Sequence, residues 1–202
     1  MNADGRMIKG QETKEKIILA TLTMIAENGI KSLSAQKVAK LAGVSKSNIF
    51  HHFSSVDELP FEAMNYLTNL LLSISELDSD DTVYSMLMKI GTATLTGDEE
   101  ETKIFRAFFN LYNESFYDER YKKLLNDVRN KHTDAMIQGI KHIEGDVFDD
   151  ESLELISKLL TVTIDGFGYH YMADYHPETY MKMWTMQVEM VITQLDKYKK
   201  KY

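Results

Sequence analysis

The sequence predicts an all-α chain, with an N-terminal three-helix helix-turn-helix domain joined to a larger helical domain. Three observations predict it. Apolar residues recur at spacings of three and four through most of the 202 residues, which places them on single helical faces. Only two prolines, Pro60 and Pro177, interrupt long stretches rich in the helix formers Leu, Met, Lys and Glu. From Ser34 to Phe53, two short helical patterns meet at a single glycine, Gly43.

The length accommodates a small domain fused to a larger one, each able to bury a core. The expected organisation is a flexible arm over 1–11, a helix-turn-helix unit over 12–55 and a larger body over 56–202. The absence of cysteine excludes disulfides and thiolate metal sites, and no metal or other cofactor is expected. MNADGRMIKG carries no apolar run, and no stretch approaches the ~20 apolar residues of a membrane span. A soluble, cytoplasmic protein with no membrane partner is the expectation.

Residues 1–11 are polar, with two glycines and no periodicity, and read as a loose arm. Thr13–Asn28 reads as a helix with Ile18, Leu22 and Ile25 on its core face and Gly29 as its C-cap. Ser34 stands at the N-cap of a second helix, in which Val38, Ala39 and Ala42 face inward and Gln36, Lys37 and Lys40 outward. Gly43 supplies the positive φ of a sharp inter-helix turn. Ser45 caps a third helix that turns Ile49 and Phe53 inward and Lys46, Ser47, Asn48 and His51 outward. A tight turn and then a short polar helix is the pattern of a major-groove reader.

A longer helix is expected from Val56 through Leu59, Ala63, Tyr66, Leu67 and Leu70 to about Ile74, with a loop after it at SELDSDD, residues 75–81. Val83, Leu87 and Ile90 mark the next helix, about 82–95. GDEEE then opens a helix over about 99–115, with acids in the first turn where the helix dipole favours them. Its aromatics, Phe105, Phe108, Phe109, Tyr112 and Phe116, fall at helical spacings, and a helix over about 117–143 adds Tyr121, Leu124, Leu125, Val128, Met136 and Ile140. Core packing accounts for much of this set. Tyr112, Asn113, Tyr117 and His132 add the polar groups that an apolar small-molecule pocket also uses.

Beyond EGDVFDDES lie two long helical stretches, separated at Tyr175 to Glu178. Leu153, Ile156, Leu160, Ile164, Phe167 and Tyr171 line one, and Met181, Trp184, Val188, Val191, Ile192 and Leu195 line the other. An apolar face on terminal helices is most simply buried by a second copy, so Leu153, Ile156, Leu160, Ile164, Trp184, Val188 and Val191 are the expected homodimer interface. Gly166 and Gly168 are expected to permit close helix approach. The GFG they bracket is not a phosphate loop, since no strand or lysine frames it.

Charge is unevenly distributed. The net charge is −8, yet residues 1–60 carry eight Lys or Arg against six Asp or Glu, while residues 61–202 carry fifteen against twenty-five. Between Lys31 and Ser55 there are four lysines and no acids. A local basic face on an acidic body orients a protein on a polyanion over the short range that physiological salt allows.

VAKLAGVSKSNIFHHF, preceded by IILATLTMIAENGIKSLS, resembles the N-terminal DNA-binding domain of the TetR family of bacterial transcriptional regulators over residues 14–64. The resemblance implies DNA contacts from Ser34, Gln36, Lys37, Ser45, Lys46, Ser47, Asn48, Phe50, His51 and His52, with Thr13 and Lys14 near the backbone. By their chemistry, Gln36 and Asn48 could bind adenine bidentately and Lys37 or Lys46 could reach guanine O6 and N7, while Ser34 and Ser45 divide between capping and phosphate contact. Two positions depart from the family pattern. Phe50 replaces the usual tyrosine and Val56 the usual lysine, each removing a phosphate contact that protonated His51 and His52 would partly replace.

The resemblance further implies a small-molecule effector held among the middle helices, with Phe105, Phe108, Phe109, Tyr112, Phe116, Tyr121, Asp165 and Tyr169 as candidate contacts. The order of aromatics and charges is loosely similar to that of choline-responsive BetI-type members, so an apolar or cationic effector is expected: an aromatic cage suits a quaternary ammonium through cation–π attraction, and flat lipophilic compounds or fatty acyl groups fit as well. The implied function is a homodimeric repressor bound to a palindromic double-stranded operator and released by its effector. The alternative is a family member whose body docks a protein partner instead. An enzyme is not expected, since the chain has no His-Glu-x-x-His, no Glu-x-x-His pair and no nucleophile elbow.

Overall fold

The computed structural model describes residues 3–72, 81–97 and 99–200, among which lie nine α-helices. No described helix is long and apolar enough to cross a membrane. The chain divides into two compact units, Met1–Asn69 with Glu100–Leu125, and Leu70–Glu99 with Asn126–Tyr202.

The first unit holds α1 (Ala3–Asn28), α2 (Ala35–Ala42), α3 (Lys46–His52), α4 (Leu59–Leu72), α6 (Glu99–Tyr112) and the first turns of α7 (Glu119–Glu144). α1 begins at Ala3, so most of the expected loose arm is helical. Arg6, Met7, Lys9, Gln11 and Glu12 are good helix formers that outweigh Gly5 and Gly10, and the Thr13 hydroxyl donates to the Lys9 carbonyl at 2.8 Å. The helix stops at Gly29, where φ is 73° and the N–H donates to the Ile25 carbonyl at 2.9 Å. Ser34 accepts the Lys37 N–H at 3.3 Å as the N-cap of α2, which ends at left-handed Gly43 with φ 67°. Ile17, Leu22 and Ile25 of α1 are buried, as are Val38 and Ala39 of α2, Ile49 and Phe53 at α3, and Leu59, Ala63, Met64 and Leu67 of α4. The expected end of α4 at Ile74 and most of the loop at 75–81 lie outside the described residues.

The second unit holds α5 (Val83–Leu95), the remainder of α7, α8 (Asp150–Ala173) and α9 (Pro177–Lys197). Thr82 and Ser85 form a capping box at the start of α5, satisfying two backbone donors reciprocally. Its core joins Val83, Leu87 and Leu95 of α5 to Leu153, Leu160 and Tyr171 of α8 and to Trp184, Val188 and Leu195 of α9. Trp184 is the centre of this packing. It is 1% exposed, its indole N–H donates to the Leu87 carbonyl at 3.0 Å, and its ring lies directly over Gly91. Near the end of α8, the Tyr171 and Tyr175 hydroxyls both donate to the Gly97 carbonyl, at 3.3 and 2.9 Å. The chain end is fixed by an isolated antiparallel bridge between Phe148 and Lys199, with the Lys200 N–H donating to the Val147 carbonyl at 2.7 Å.

This core corrects the expected dimer interface. Leu153, Ile156, Leu160, Trp184, Val188 and Val191 are buried within the chain's own second unit, and Ile164 packs against them partly buried. The reason lies in α5, which supplies the partner face that the sequence argument assigned to a second copy. A residue whose N–H already donates to Leu87 and whose ring covers Gly91 is not available to another chain.

A side chain at Gly91 has no room, because its Cβ would fall inside the van der Waals shells of Trp184 Cδ1 and Nε1. Gly91→Ala is therefore expected to destabilise the protein by about 1–3 kcal/mol through overpacking, despite alanine's better helix propensity. Chemical denaturation checks this, and an unchanged midpoint would show that Trp184 can step aside.

Candidate nucleic-acid interface and effector site

α3 is only seven residues long, too short to persist on its own, and is held by burying Ile49 and Phe53 at spacing four. That anchoring fixes the opposite face. Lys46, Ser47, Asn48, Phe50 and His51 are exposed there, beside exposed Ser45, while His52 is half-buried. On α2, Gln36 and Lys37 are exposed and Ser34 is half-buried. The ten residues expected to contact DNA thus lie on α2, α3 and their caps in one compact unit.

Their local bonds differ. The Lys37 ammonium donates to the Ser32 carbonyl at 3.2 Å, so its reach is partly committed. Ser45 caps α3 by accepting the Asn48 N–H at 3.3 Å, and its hydroxyl donates to Asn48 Oδ1 at 2.7 Å. The hydroxyl oxygens of Ser45 and Ser47 stand 2.8 Å apart. The His51 and His52 rings meet edge-on at 5.1 Å between centroids. Burial, then neighbouring His51 and then Lys14 lower the pKa of His52 below the usual histidine value. These causes disfavour the protonated form of His52 relative to an ordinary histidine.

Thr13 and Lys14 are half-buried and make local contacts. The Lys14 ammonium pairs with Glu62 at 3.0 Å and sits 5.6 Å from the centre of the Phe53 ring, tying α1 to α4 and to the end of α3. One contact the sequence reading missed is Glu58, whose carboxylate accepts the Ser54 N–H at 2.6 Å and its hydroxyl at 2.7 Å. These bonds hold its pKa below the usual carboxylate value. The signal was present in sequence as Ser54 with Glu58 four residues later.

The expected effector contacts separate into two sets. In the first unit, Phe108, Phe109 and Tyr112 touch in a chain, with centroids 5.3 Å apart for Phe108 and Phe109 and 6.1 Å for Phe108 and Tyr112. Phe116 continues the chain at 6.2 Å from Tyr112 but is 71% exposed, so it caps the row from solvent. Phe105 is half-buried on the same helix. Tyr121 instead packs edge-on against Phe61 at 5.4 Å, beside Arg120, and burial raises its phenol pKa well above the usual value.

Asp165 and Tyr169 belong to the second unit. Tyr169 is exposed on the outer face of α8 and does not line an interior. Asp165 is different. With Ser157 and Thr161 it forms a polar row at spacing four on α8, in which Ser157 and Thr161 are buried. The Thr161 hydroxyl donates to the Ser157 carbonyl at 3.0 Å, and the Ser157 hydroxyl has no partner among the described residues. Burial pushes the Asp165 carboxyl up to about 6, opposed in part by the charge of Arg129.

The sequence model of the bacterial regulatory proteins of the tetR family matches residues 17–63, the span of α1 to α4 that positions this reading face. Residues 17–63 thus match the DNA-binding head of TetR-family regulators. Among curated relatives, it is similar to the transcriptional regulator BetI of Vibrio atlanticus, with 24% identity over 157 residues and 76% of each chain covered. It is also similar to the regulator PksA of Bacillus subtilis, 23% identical over 181 residues, covering 84% of this chain and 83% of that one. The fold is shared with a transcriptional regulator from Rhodococcus sp. Rha1 at a TM-score of 0.75 and 23% identity, covering 90% of this chain and 97% of that one. A regulator from Saccharomonospora viridis, solved in complex with choline, matches at a TM-score of 0.72 and 18% identity, covering 89% and 96%.

The most extended feature the sequence reading missed is a second apolar stripe. Leu155, Leu159, Val162 and Tyr169 are exposed on α8, and Met183, Met186 and Met190 on α9. Their spacings of three and four were legible, but the stripe of larger residues beside them drew the assignment.

The polar row on α8 generates a test of pH dependence. Unfolded, Asp165 has an ordinary carboxylate pKa of about 3.8, and folded it is about 6. A raised folded pKa adds stability at low pH that is lost as pH rises through the folded value. Asp165→Asn is therefore expected to stabilise the protein above pH 6 by up to about 3 kcal/mol and to have little effect near pH 4. Denaturation of both proteins across this range checks it, and a gain independent of pH would show that ionisation of Asp165 is not the cause.

Proposed function

We propose that this regulator is a homodimeric repressor that binds a palindromic operator and is released by an organic cation. The observation that carries the dimer is the exposed apolar face of α8 and α9. Leu155 is 69% exposed, Val162 60% and Met186 61%, in a chain whose own core is already complete. Along α8, residues 155, 159, 162, 166 and 169 alternate spacings of four and three, the repeat of a helical-bundle seam. A Cβ added at Gly166 would meet nothing, which leaves room on that seam for another helix to approach closely. On α9, Met186 and Met190 join Glu189, Thr193 and Gln194 along a shallow surface trough. Because α8 and α9 pack on each other, their exposed stripes make one surface that a two-fold axis can oppose to itself.

A two-fold pair of heads reads two inverted half-sites separated by one or more helical turns, roughly 34 Å each. Effector binding releases the operator if it favours a dimer in which the two heads no longer match that spacing. An organic cation is supported by the half-buried carboxyl of Asp165, by the Ser157 hydroxyl on the same row, which has no partner among the described residues, and by the choline bound in the Saccharomonospora relative.

Two experiments test this reading. Leu159→Glu combined with Met186→Glu is expected to sediment as a folded monomer and to bind a two-half-site operator at least about 100-fold more weakly, with single half-site affinity retained. A dimer that persists in sedimentation would rule out this face. Titration calorimetry with choline is expected to show binding that weakens from pH 7.5 to pH 5.5 and falls about tenfold or more in Asp165→Asn. Heat from a fatty acid and none from choline would overturn the cationic assignment.

A further inference from the structure

We infer that Asn48 and Phe50 make α3 a reader of keto bases, selecting guanine or thymine over adenine or cytosine at the operator positions they reach. The inference rests on α3 entering a major groove and goes further in assigning what it reads there.

Ser45 has a single hydroxyl hydrogen, and that hydrogen is donated to Asn48 Oδ1 at 2.7 Å. The Ser45 oxygen meanwhile accepts the Asn48 backbone N–H at 3.3 Å. Ser47, whose oxygen lies 2.8 Å from that of Ser45, must then be the donor of their pair. The three side chains form one directed chain, from Ser47 to Ser45 to the carboxamide oxygen of Asn48. Ser45 engages one lone pair of the carboxamide oxygen, so the amino group, with two N–H donors, is the larger part of what this exposed side chain offers a groove.

In the major groove guanine presents two acceptors, O6 and N7, and thymine presents O4, whereas cytosine presents the N4 amino donor and adenine sets its N6 amino donor beside a single acceptor, N7. A donor-presenting Asn48 meets an acceptor on a keto base and an opposing donor on an amino base. This replaces the bidentate adenine contact that the residue type alone suggested. The flanking sequence supplies donors. Lys46 adds an ammonium, the segment from Lys31 to Ser55 contains no acid, and the carboxylate of Glu58 is occupied by Ser54. Phe50 is 50% exposed on the same helix and carries no hydroxyl for a phosphate. Apolar contact with the thymine methyl group is the base-specific chemistry open to it.

The test uses the full-length protein. Wild type selects sites from a random duplex pool, and fluorescence anisotropy at physiological salt then ranks every single-base change in the selected half-site. The expected result is one position where keto bases are preferred over amino bases by roughly 5- to 150-fold. Asn48→Asp, which can only accept, is expected to reverse that preference at the same position. Ser45→Ala is expected to flatten it and Ser45→Thr to keep it, a change in base ratio that mere loss of a helix cap would not produce. Phe50→Ala is expected to abolish a thymine preference at one position and leave the others intact. A base profile unchanged in Asn48→Asp, or a wild-type preference for adenine or cytosine at the position this variant alters, overturns the inference while leaving the regulator reading in place. Failure of the wild-type protein to enrich any sequence would overturn the groove reading itself and the inference with it.

Discussion

The reading face depends on one backbone constraint, the termination of α2 at Gly43. With φ at 67° the chain reverses within two residues, so that Ser45 can cap a new helix in a different direction. A β-carbon in this conformation costs roughly 1–2 kcal/mol, which is the physical reason for glycine here. The new helix is too short to stand alone. α3 is fixed only because Ile49 and Phe53 are buried on one side, and the same anchoring turns Lys46, Asn48 and Phe50 outward on the other. Lys14 strengthens the seat from beneath, with its ammonium on Glu62 and over the Phe53 ring. Orientation of the reader is therefore a property of the core of the head, and substitutions at buried positions such as Ile49 would affect DNA binding without touching DNA.

Much of this was legible in sequence because the determinants are local. Ser34 and Ser45 cap where their hydroxyls predicted, Gly43 takes the left-handed turn, and the split of α3 into buried and exposed faces comes from spacing alone. The misreadings share a different cause. Periodicity identifies a stripe but not what covers it. α8 carries two stripes, Leu153, Ile156 and Leu160 on one side and Leu155, Leu159 and Val162 on another, and only the packing of α5 decides that the first is internal. Trp184 made the internal stripe look like an interface because large aromatics suit both settings. What settles its place is an acceptor, the Leu87 carbonyl, together with the space left by Gly91, neither of which spacing reveals.

The aromatics of α6 and α7 show the same limit at the level of single residues. Phe108, Phe109 and Tyr112 make the ring chain their spacing suggested, but Tyr121 is claimed by Phe61, far away in sequence, and Phe116 falls where the helix tightens into a short 3-10 turn and leaves the buried face. The extension of α1 back to Ala3 is a case of propensity prevailing over two glycines.

The buried polar row of α8 bears on why the body of this regulator is built as it is. Ser157, Thr161 and Asp165 occupy positions where apolar side chains would pack without a desolvation cost, yet one hydroxyl is left without a partner and a carboxyl is held at about 6. The Ser157 hydroxyl departs from the rule that buried polar groups are satisfied, and such departures concentrate where a protein must do something other than fold. A body that served only to bring two heads together would gain stability by filling this row with leucine or alanine. A poised carboxyl and a hydroxyl without a partner among the described residues cost stability in the empty state, and on the proposed reading a cationic ligand would offset that cost by supplying charge and a hydrogen-bond acceptor. That difference between empty and occupied states is the free energy a ligand needs in order to shift a conformational equilibrium, which favours a responsive body over a purely structural one.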